Sequence, residues 1–202
     1  MDHGVTLTGR YVRLEPLVPE HVPALVAAFS ESRDSYAFTV VPDGEADAAR
    51  FVEEAVANPD HLPFATRRLA DGEVVGTTRY AALTPWVWPP GHPRQRHDRP
   101  DVVEIGGTSL AASAQRTGVN TEAKLLMLTH AFETWDVYAV RIRTDVRNDR
   151  SRAAVERLGF RFDGVLRADR PGADGSVRDS AYYSMRSEEW PVAKAALAAK
   201  LR

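Results

Sequence analysis

Between a β-rich run at residues 102–110 and an apolar helical stretch lies Gln115-Arg116-Thr117-Gly118-Val119-Asn120, a polar turn followed closely by Thr121 and Lys124. Strand, polar turn and helix start in that order present free backbone N–H groups at the positive end of a helix dipole, which suits a phosphate or diphosphate. Gly118 permits close approach or a positive φ, Asn120 tolerates the left-handed region, and Thr121 can cap the helix or offer its hydroxyl to a phosphate oxygen. Arg116 and Lys124 add positive charge beside the turn. An ordinary capped helix after a strand has the same pattern, so residues elsewhere must decide.

Two kinds of phosphate loop are excluded at once. There is no G-x-x-x-x-G-K-[ST], and no G-x-G-x-x-G follows a strand, which disfavours a P-loop NTPase and a dinucleotide-binding oxidoreductase. The 202 residues carry no cysteine, so disulfides, zinc–thiolate sites and a thiol nucleophile are ruled out, and a reducing cytoplasm is the expected setting. A formal net charge of −2 gives no electrostatic signal for nucleic acid, and no apolar run reaches membrane-spanning length. The opening Met1-Asp2-His3-Gly4 lacks the basic and apolar regions of a signal peptide. His92 and His97 lie in one loop without a carboxylate pair or thiol beside them, so no metal is expected.

The elements that must position this turn follow from the hydrophobic period. Residues 5–14 read as a strand, and Val22, Leu25, Val26 and Phe29 form one face of a helix that begins near Pro19. A second helix over residues 45–57 carries Phe51, Val52, Ala55 and Val56, and Asn58-Pro59 stops it. Residues 62–69 and 74–83 flank Ala70-Asp71-Gly72-Glu73 as a hairpin. Residues 84–100 hold five of the 13 prolines with Trp86 and Trp88, and read as a long ordered loop of the kind that serves as a lid. A central strand over 102–110 contains Gly106-Gly107, the mark of a bulge or of a close backbone approach. Next come a helix over residues 120–135, a strand over 139–146, a helix opened by Asn148-Asp149-Arg150-Ser151 and closed by Gly159, and strands over 160–167 and 177–185. Residues 187–201 read as a last helix, with acidic residues near its start and Lys200 and Arg202 at its end.

With these in view, the run from Gln115 to Asn120 resembles the acetyl-coenzyme A diphosphate loop of the GNAT superfamily of N-acetyltransferases, Q/R-x-x-G-x-G/A, with Asn120 where Gly or Ala is usual. The element order resembles that superfamily over nearly the whole chain. A second block, Asn148-Asp149-Arg150-Ser151 through Gly159-Phe160, is similar to the region that completes the coenzyme A site. Together with residues 177–184 it looks like the branch of ribosomal-protein N-terminal acetyltransferases of the RimJ/RimL type.

The resemblance implies one domain over residues 1–202, an α/β (α+β) fold with a mixed, mostly antiparallel sheet flanked by helices on both faces. It implies acetyl-coenzyme A as acyl donor, held by Leu110, Ala111, Gln115, Arg116, Thr117, Gly118, Val119, Asn120, Thr121, Asn148, Ser151 and Arg152. The acceptor is then a small-molecule amine or a protein N-terminal amine, with Trp86, Trp88 and Tyr182 among its contacts. A homodimer is compatible with the pattern. The family's frequent tyrosine acid aligns to Val155 and is absent, so Ser151 is expected to give the leaving thiolate its proton, or else to serve the helix start. Glu104 is the first choice to receive the amine proton, with a sheet-surface role as the alternative, and Asp169 is the second, with Arg170 at the branch's acidic position.

At pH 7.4, freeing an α-amine of pKa about 7.8 costs roughly 0.5 kcal/mol, against about 4 for a lysine near 10.4. This favours an α-amine or a small primary amine over lysine. The alternatives are a GNAT protein using another acyl donor on a metabolite or antibiotic, or an acyl-coenzyme A binding protein without turnover.

Overall fold

The computed structural model describes residues 4–95 and 99–201. Its strands form one sheet in the order β1-β2-β3-β4-β5-β6-β8-β7. These are β1 (Leu7–Thr8), β2 (Val12–Pro16), β3 (His61–Arg68), β4 (Val74–Thr84), β5 (Val102–Leu110), β6 (Ala139–Asp145), β7 (Arg161–Pro171) and β8 (Val177–Arg186). Every pairing is antiparallel except that of β5 with β6, which is parallel. A parallel pair needs a crossover, and α3 (Gly118–Thr129) with the wider turn His130–Thr134 supplies it.

Helices cover both faces. The alternation of side chains along a strand assigns them: Glu15 bonds His21 at the entry to α1 (Val22–Ser30), while Tyr80 donates its hydroxyl to the Met127 carbonyl of α3. Thus α1 and its partner α2 (Gly44–Ala57) lie on one face. The other face carries α3, α4 (Asp149–Arg157) and α5 (Trp190–Ala199), for Tyr183 bonds Glu156 of α4 and α3 packs on α5. Phe29, Phe64, Tyr80, Ile105, Met127, Tyr183 and Met185 are buried between the layers.

Three sequence expectations change. The strand expected over residues 5–14 is two short strands, because the N–H groups of Arg10, Tyr11 and Val12 turn to donate to the Glu122 carboxylate of α3 at 2.8, 2.5 and 2.8 Å. The helix expected from about Asn120 begins at Gly118, and its cap is Thr117, whose hydroxyl accepts from Val119 N–H; Thr121 lies inside the helix. Val56, counted in the apolar stripe of α2, is 50% exposed, and Val52 and Ala55 carry the contact instead. Arg202, expected to complement the last helix, lies outside the described residues, as does the opening Met1-Asp2-His3.

Candidate active site

The site begins where two parallel strands part. β5 and β6 pair Val102 with Ala139, Val103 with Val140 and Glu104 with Arg141, and the register ends there although both strands continue. From Ile105 onward the edge of β5 that faces β6 has no strand partner. On its other edge β5 bulges opposite β4: Arg79 pairs Gly106 and Thr77 pairs Ser109, with Gly107 at φ +55° between them. The Gly-Gly pair therefore marks a bulge, and that φ is why glycine stands there.

At the far end of β5 the chain turns into α3. The left-handed residue of this turn is Arg116, at φ +59°, while Gly118 has an ordinary φ and its position faces Tyr11 and Leu201 at van der Waals distance. Asn120 is likewise helical, so neither it nor Gly118 uses the left-handed freedom the sequence suggested. The Gln115 side chain pins the turn by donating to the Leu110 carbonyl and the Ser35 hydroxyl, both at 2.9 Å. Tyr36 also donates to the Leu110 carbonyl at 2.8 Å, tying the α1–α2 loop to the end of β5. Ala111 N–H bonds Val75, so the Leu110–Ala111 backbone is fixed by protein partners. Helix geometry leaves the first N–H groups of α3 without intrahelical partners, Arg116 is exposed, and the buried Asn120 Oδ1 has no hydrogen-bond partner.

Lys124 does not stand beside the turn. It points inward between β4 and β5, only 4% exposed, and donates to the Thr78 and Thr108 hydroxyls at 2.8 and 2.7 Å. Burial lowers its pKa to about 7. Across the opening, Asn148 caps α4 by accepting from Ser151 N–H at 3.0 Å. Ser151 is thus a first-turn residue and not the cap, and no described hydrogen bond uses its hydroxyl. Arg152 reaches the Tyr183 hydroxyl at 3.1 Å and Asp149 at 3.8 Å.

On the opposite face the two carboxylates expected from the sequence come together through an arginine. Arg143 of β6 holds Glu104 at 3.0 Å and lies 3.8 Å from Asp169 of β7. It also donates to the Tyr182 hydroxyl at 2.8 Å, and that hydroxyl donates to Asp169 at 3.2 Å. The two acids differ in environment. Burial raises the Glu104 pKa above the usual carboxylate range, against the opposing pull of Arg143, Arg170 and Arg79. Burial also pushes Asp169 upward, but a 2.7 Å hydrogen bond from Ser180 and the charges of Arg170 and Arg143 prevail and hold it low. Glu104 is therefore the better proton acceptor of the two.

Arg79 completes this face. Its guanidinium packs against Gly107, 3.1 Å from where a Cβ there would stand, and its buried Nε has no partner among the described residues. Arg79, Arg143 and Tyr36 were not singled out in the sequence, since arginines on alternating strands look like solvent-facing residues until the register shows which face they share. A cavity of about 310 Å³ opens between the α1–α2 loop (Tyr36, Ala37, Val40, Val41) and Ala173 of the β7–β8 turn.

Trp86 and Trp88 sit apart from all of this, at the closed end of the β5–β6 pair. Trp86 stacks on Tyr138 at 5.3 Å, Trp88 stacks on His92 at 4.1 Å, and the Asp101 carboxylate receives the Trp86 N–H and the Trp88 indole. His97 lies outside the described residues; among the described residues there is no group of three His, Cys, Asp or Glu able to hold a metal. No described helix is long and apolar enough to cross a membrane.

Comparison with known proteins bears on this geometry. Residues 12–161 match the family described as Acetyltransferase (GNAT) domain. Over 84 residues the chain is 36% identical to YdaF of Bacillus subtilis (strain 168), provisionally named a ribosomal N-acetyltransferase; the match spans 42% of this chain and 45% of that one, so less than half the relative's length is aligned. The crystal structure of a GCN5-related N-acetyltransferase from Brucella melitensis superposes with a TM-score of 0.84 at 30% identity, over 98% of this chain and 86% of that one. Mycobacterium smegmatis RimJ in complex with CoA-disulfide shares the fold, with a TM-score of 0.76 at 22% identity over 98% and 96% of the two chains.

Proposed function

This chain belongs to the GNAT acetyltransferases, and on that premise we propose that it moves an acetyl group from acetyl-coenzyme A to a primary amine, a protein N-terminal α-amine in the first place and a small molecule in the second. The observation that carries the reading is the parting of β5 from β6 at Glu104, with that carboxylate on one face of the opening and, on the other, a first-turn serine whose hydroxyl makes no described hydrogen bond.

The residues present suit this donor. The turn from Gln115 to Thr121, with the N–H groups that open α3 and the exposed Arg116, would hold the diphosphate. Arg152 and the capped start of α4 would add to the charge on that side. The orphaned Asn120 oxygen needs an N–H, and the pantetheine arm carries two amides. The unpaired edge of β5 offers the backbone donors that acyl transfer needs at its carbonyl oxygen. When bound, the donor supplies a thioester carbonyl open to direct attack.

The proton transfers fall to this chain's own groups. Glu104 takes a proton from the amine as its nitrogen bonds the carbonyl carbon; the raised pKa makes this carboxylate a stronger base than an exposed one. Arg143 keeps Glu104 charged and aimed. Ser151 gives its hydroxyl proton to the sulfur as the C–S bond breaks and takes one back from solvent. A thiol of pKa about 8.5 leaves with little help, so this second transfer is the smaller demand. Asp169 holds Tyr182 and Arg143 in place and takes no proton.

The name borne by YdaF, a provisional ribosomal N-acetyltransferase, supports a protein amine, and the cost of freeing a lysine favours the α-amine over the side chain. The proposed setting is the cytoplasm. The test is a screen that follows coenzyme A release with N-terminal peptides, small amines and aminoglycosides. Release with α-amines above all others supports the reading; a preference for lysine side chains overturns it.

A further inference from the structure

The face that holds Glu104 carries more positive charge than its own carboxylates answer. Arg79, Arg143, Arg170 and Arg178 stand against Glu104 and Asp169. Both acids are already matched, Glu104 by Arg143 at 3.0 Å and Asp169 by Arg170 at 3.1 Å. Asp145 is taken by Arg147 at 2.7 Å. Arg178 is left with the Ser180 hydroxyl at 2.9 Å, and the buried Nε of Arg79 has no hydrogen-bond partner among the described residues.

A guanidinium whose buried N–H finds no acceptor is costly, and a ligand that supplies one relieves the cost. Burial holds both leftover arginines below their ordinary pKa and Arg170 and Arg143 add to it, against the opposing pull of Glu104 on Arg79 and of Asp145 and Asp169 on Arg178. His61, one strand further along the same face, does not help: burial and Arg79 together lower its pKa. Position matters as well as charge. Arg79 pairs in register with Gly106 and Ala81 with Glu104, so the guanidinium and the Glu104 carboxylate rise from adjacent rows of one face, at the point where β5 and β6 part.

We infer that the acceptor of this enzyme carries a carboxylate next to its reacting amine, that Arg79 binds the carboxylate as a two-pronged donor, and that this placement delivers the amine to Glu104. The inference rests on the acetyl-transfer reading and deepens it. Arginine suits this role because its planar fork matches a carboxylate. Two sources share the chemistry: a peptide whose first or second residue is acidic, and a free amino acid with its α-carboxylate.

The experiment uses matched pairs that differ only in carboxylate against amide. One pair is an N-terminal peptide beginning Ser-Asp against Ser-Asn; the other is a free amino acid against its amide. In the intact protein, kcat/KM should favour the carboxylate member of one pair by roughly 30- to 100-fold, and Arg79→Met should cut that preference to below about threefold. Because Arg79 is largely buried, Arg170→Gln is made alongside it and should narrow the preference by roughly threefold to tenfold. The pair that discriminates identifies the source. Equal rates within both pairs, or a preference unchanged by Arg79→Met in a protein that melts normally, would overturn the inference.

A binding arm separates this failure from failure of the parent reading. Calorimetry of the Ser-Asp and Ser-Asn peptides, with coenzyme A present, should show tighter binding of the acidic peptide and loss of the difference in Arg79→Met. Discrimination in binding without coenzyme A release from any amine keeps the carboxylate site and removes acetyl transfer. Release of coenzyme A with no discrimination in either assay does the reverse.

Discussion

Lys124→Met should make the protein more stable below pH 7 and flatten its stability against pH. The ammonium of Lys124 is buried with only two hydroxyls for partners and no described carboxylate within an ion pair's reach. Its pKa falls from 10.5 to about 7. Below pH 7 the lysine is charged both folded and unfolded, and the folded state bears the whole burial cost. From pH 7 up to about 10.5 the unfolded chain binds this proton and the folded one does not, so stability rises through that window by up to about 1.4 kcal/mol per pH unit. Above it the lysine is neutral in both states and the gain is complete.

The size of the effect follows. Between pH 7 and pH 9 the wild type should gain about 2 kcal/mol that Lys124→Met does not. At pH 6 the charged form costs on the order of 5 kcal/mol relative to the neutral one; the variant escapes this and gives up two hydrogen bonds of a neutral amine, worth about 1 kcal/mol each, which leaves it about 3 kcal/mol ahead. Thr78 and Thr108 are already 2.9 Å apart, so each keeps a partner when the amine is gone. Urea titrations of both proteins at pH 6, 7, 8 and 9, read as the difference between them, remove the contribution of every other titrating group. A difference constant to within about 0.5 kcal/mol over that range would refute the reasoning, because it would mean that Lys124 holds the same proton folded and unfolded.

Gly9→Ala should destabilise by about 2–4 kcal/mol in thermal or urea melts, since its Cβ would fall 2.4 Å from the Glu122 carboxyl carbon and break the three N–H bonds that join α3 to the first strands. Glu104→Gln should lower kcat/KM roughly a hundredfold and erase an acidic limb that the wild type shows as pH falls through the raised carboxyl pKa. Repeating the profile with acceptors of different amine pKa identifies the limb, because one that belongs to the amine moves with the acceptor and one that belongs to Glu104 stays. Ser151→Ala should lower kcat by roughly ten- to a hundredfold at unchanged coenzyme A affinity; an unchanged kcat would leave the serine a first-turn residue only.

The strand–turn–helix at residues 102–129 was legible because its signals are local: an apolar run, a polar turn, a helical period. Details within it were not. The turn's left-handed residue is Arg116, which nothing in its type announces, and the cap is the threonine before Gly118 and not the one after Asn120. Long-range contacts were invisible for a different reason. Glu122 reaches back 110 residues and more to split the first strand, and Lys124 looked like a surface cation until the sheet beneath it was in place. The aromatic loop had the composition of a lid, but Asp101 and Tyr138 draw its tryptophans to the closed end of the strand pair.

The two faces of the opened sheet explain why Glu104 and Ser151, read separately from the sequence, can divide one reaction. Glu104 alternates with Ile105 along β5 and so emerges on the face of Arg79 and Arg143, while Ser151 opens a helix that packs on the face of Tyr183. On the proposed reading a thioester lying between the parted strands would meet both, the incoming amine on one side and the departing sulfur on the other. On this arrangement the acid and the base need no contact with each other, and removing the serine should not change the pKa of Glu104. Ser151→Ala should therefore lower the rate and leave the acidic limb of the profile where it is. A shift of that limb in Ser151→Ala, by half a unit or more by rough estimate, would place the two groups in one hydrogen-bonded pair and on one face.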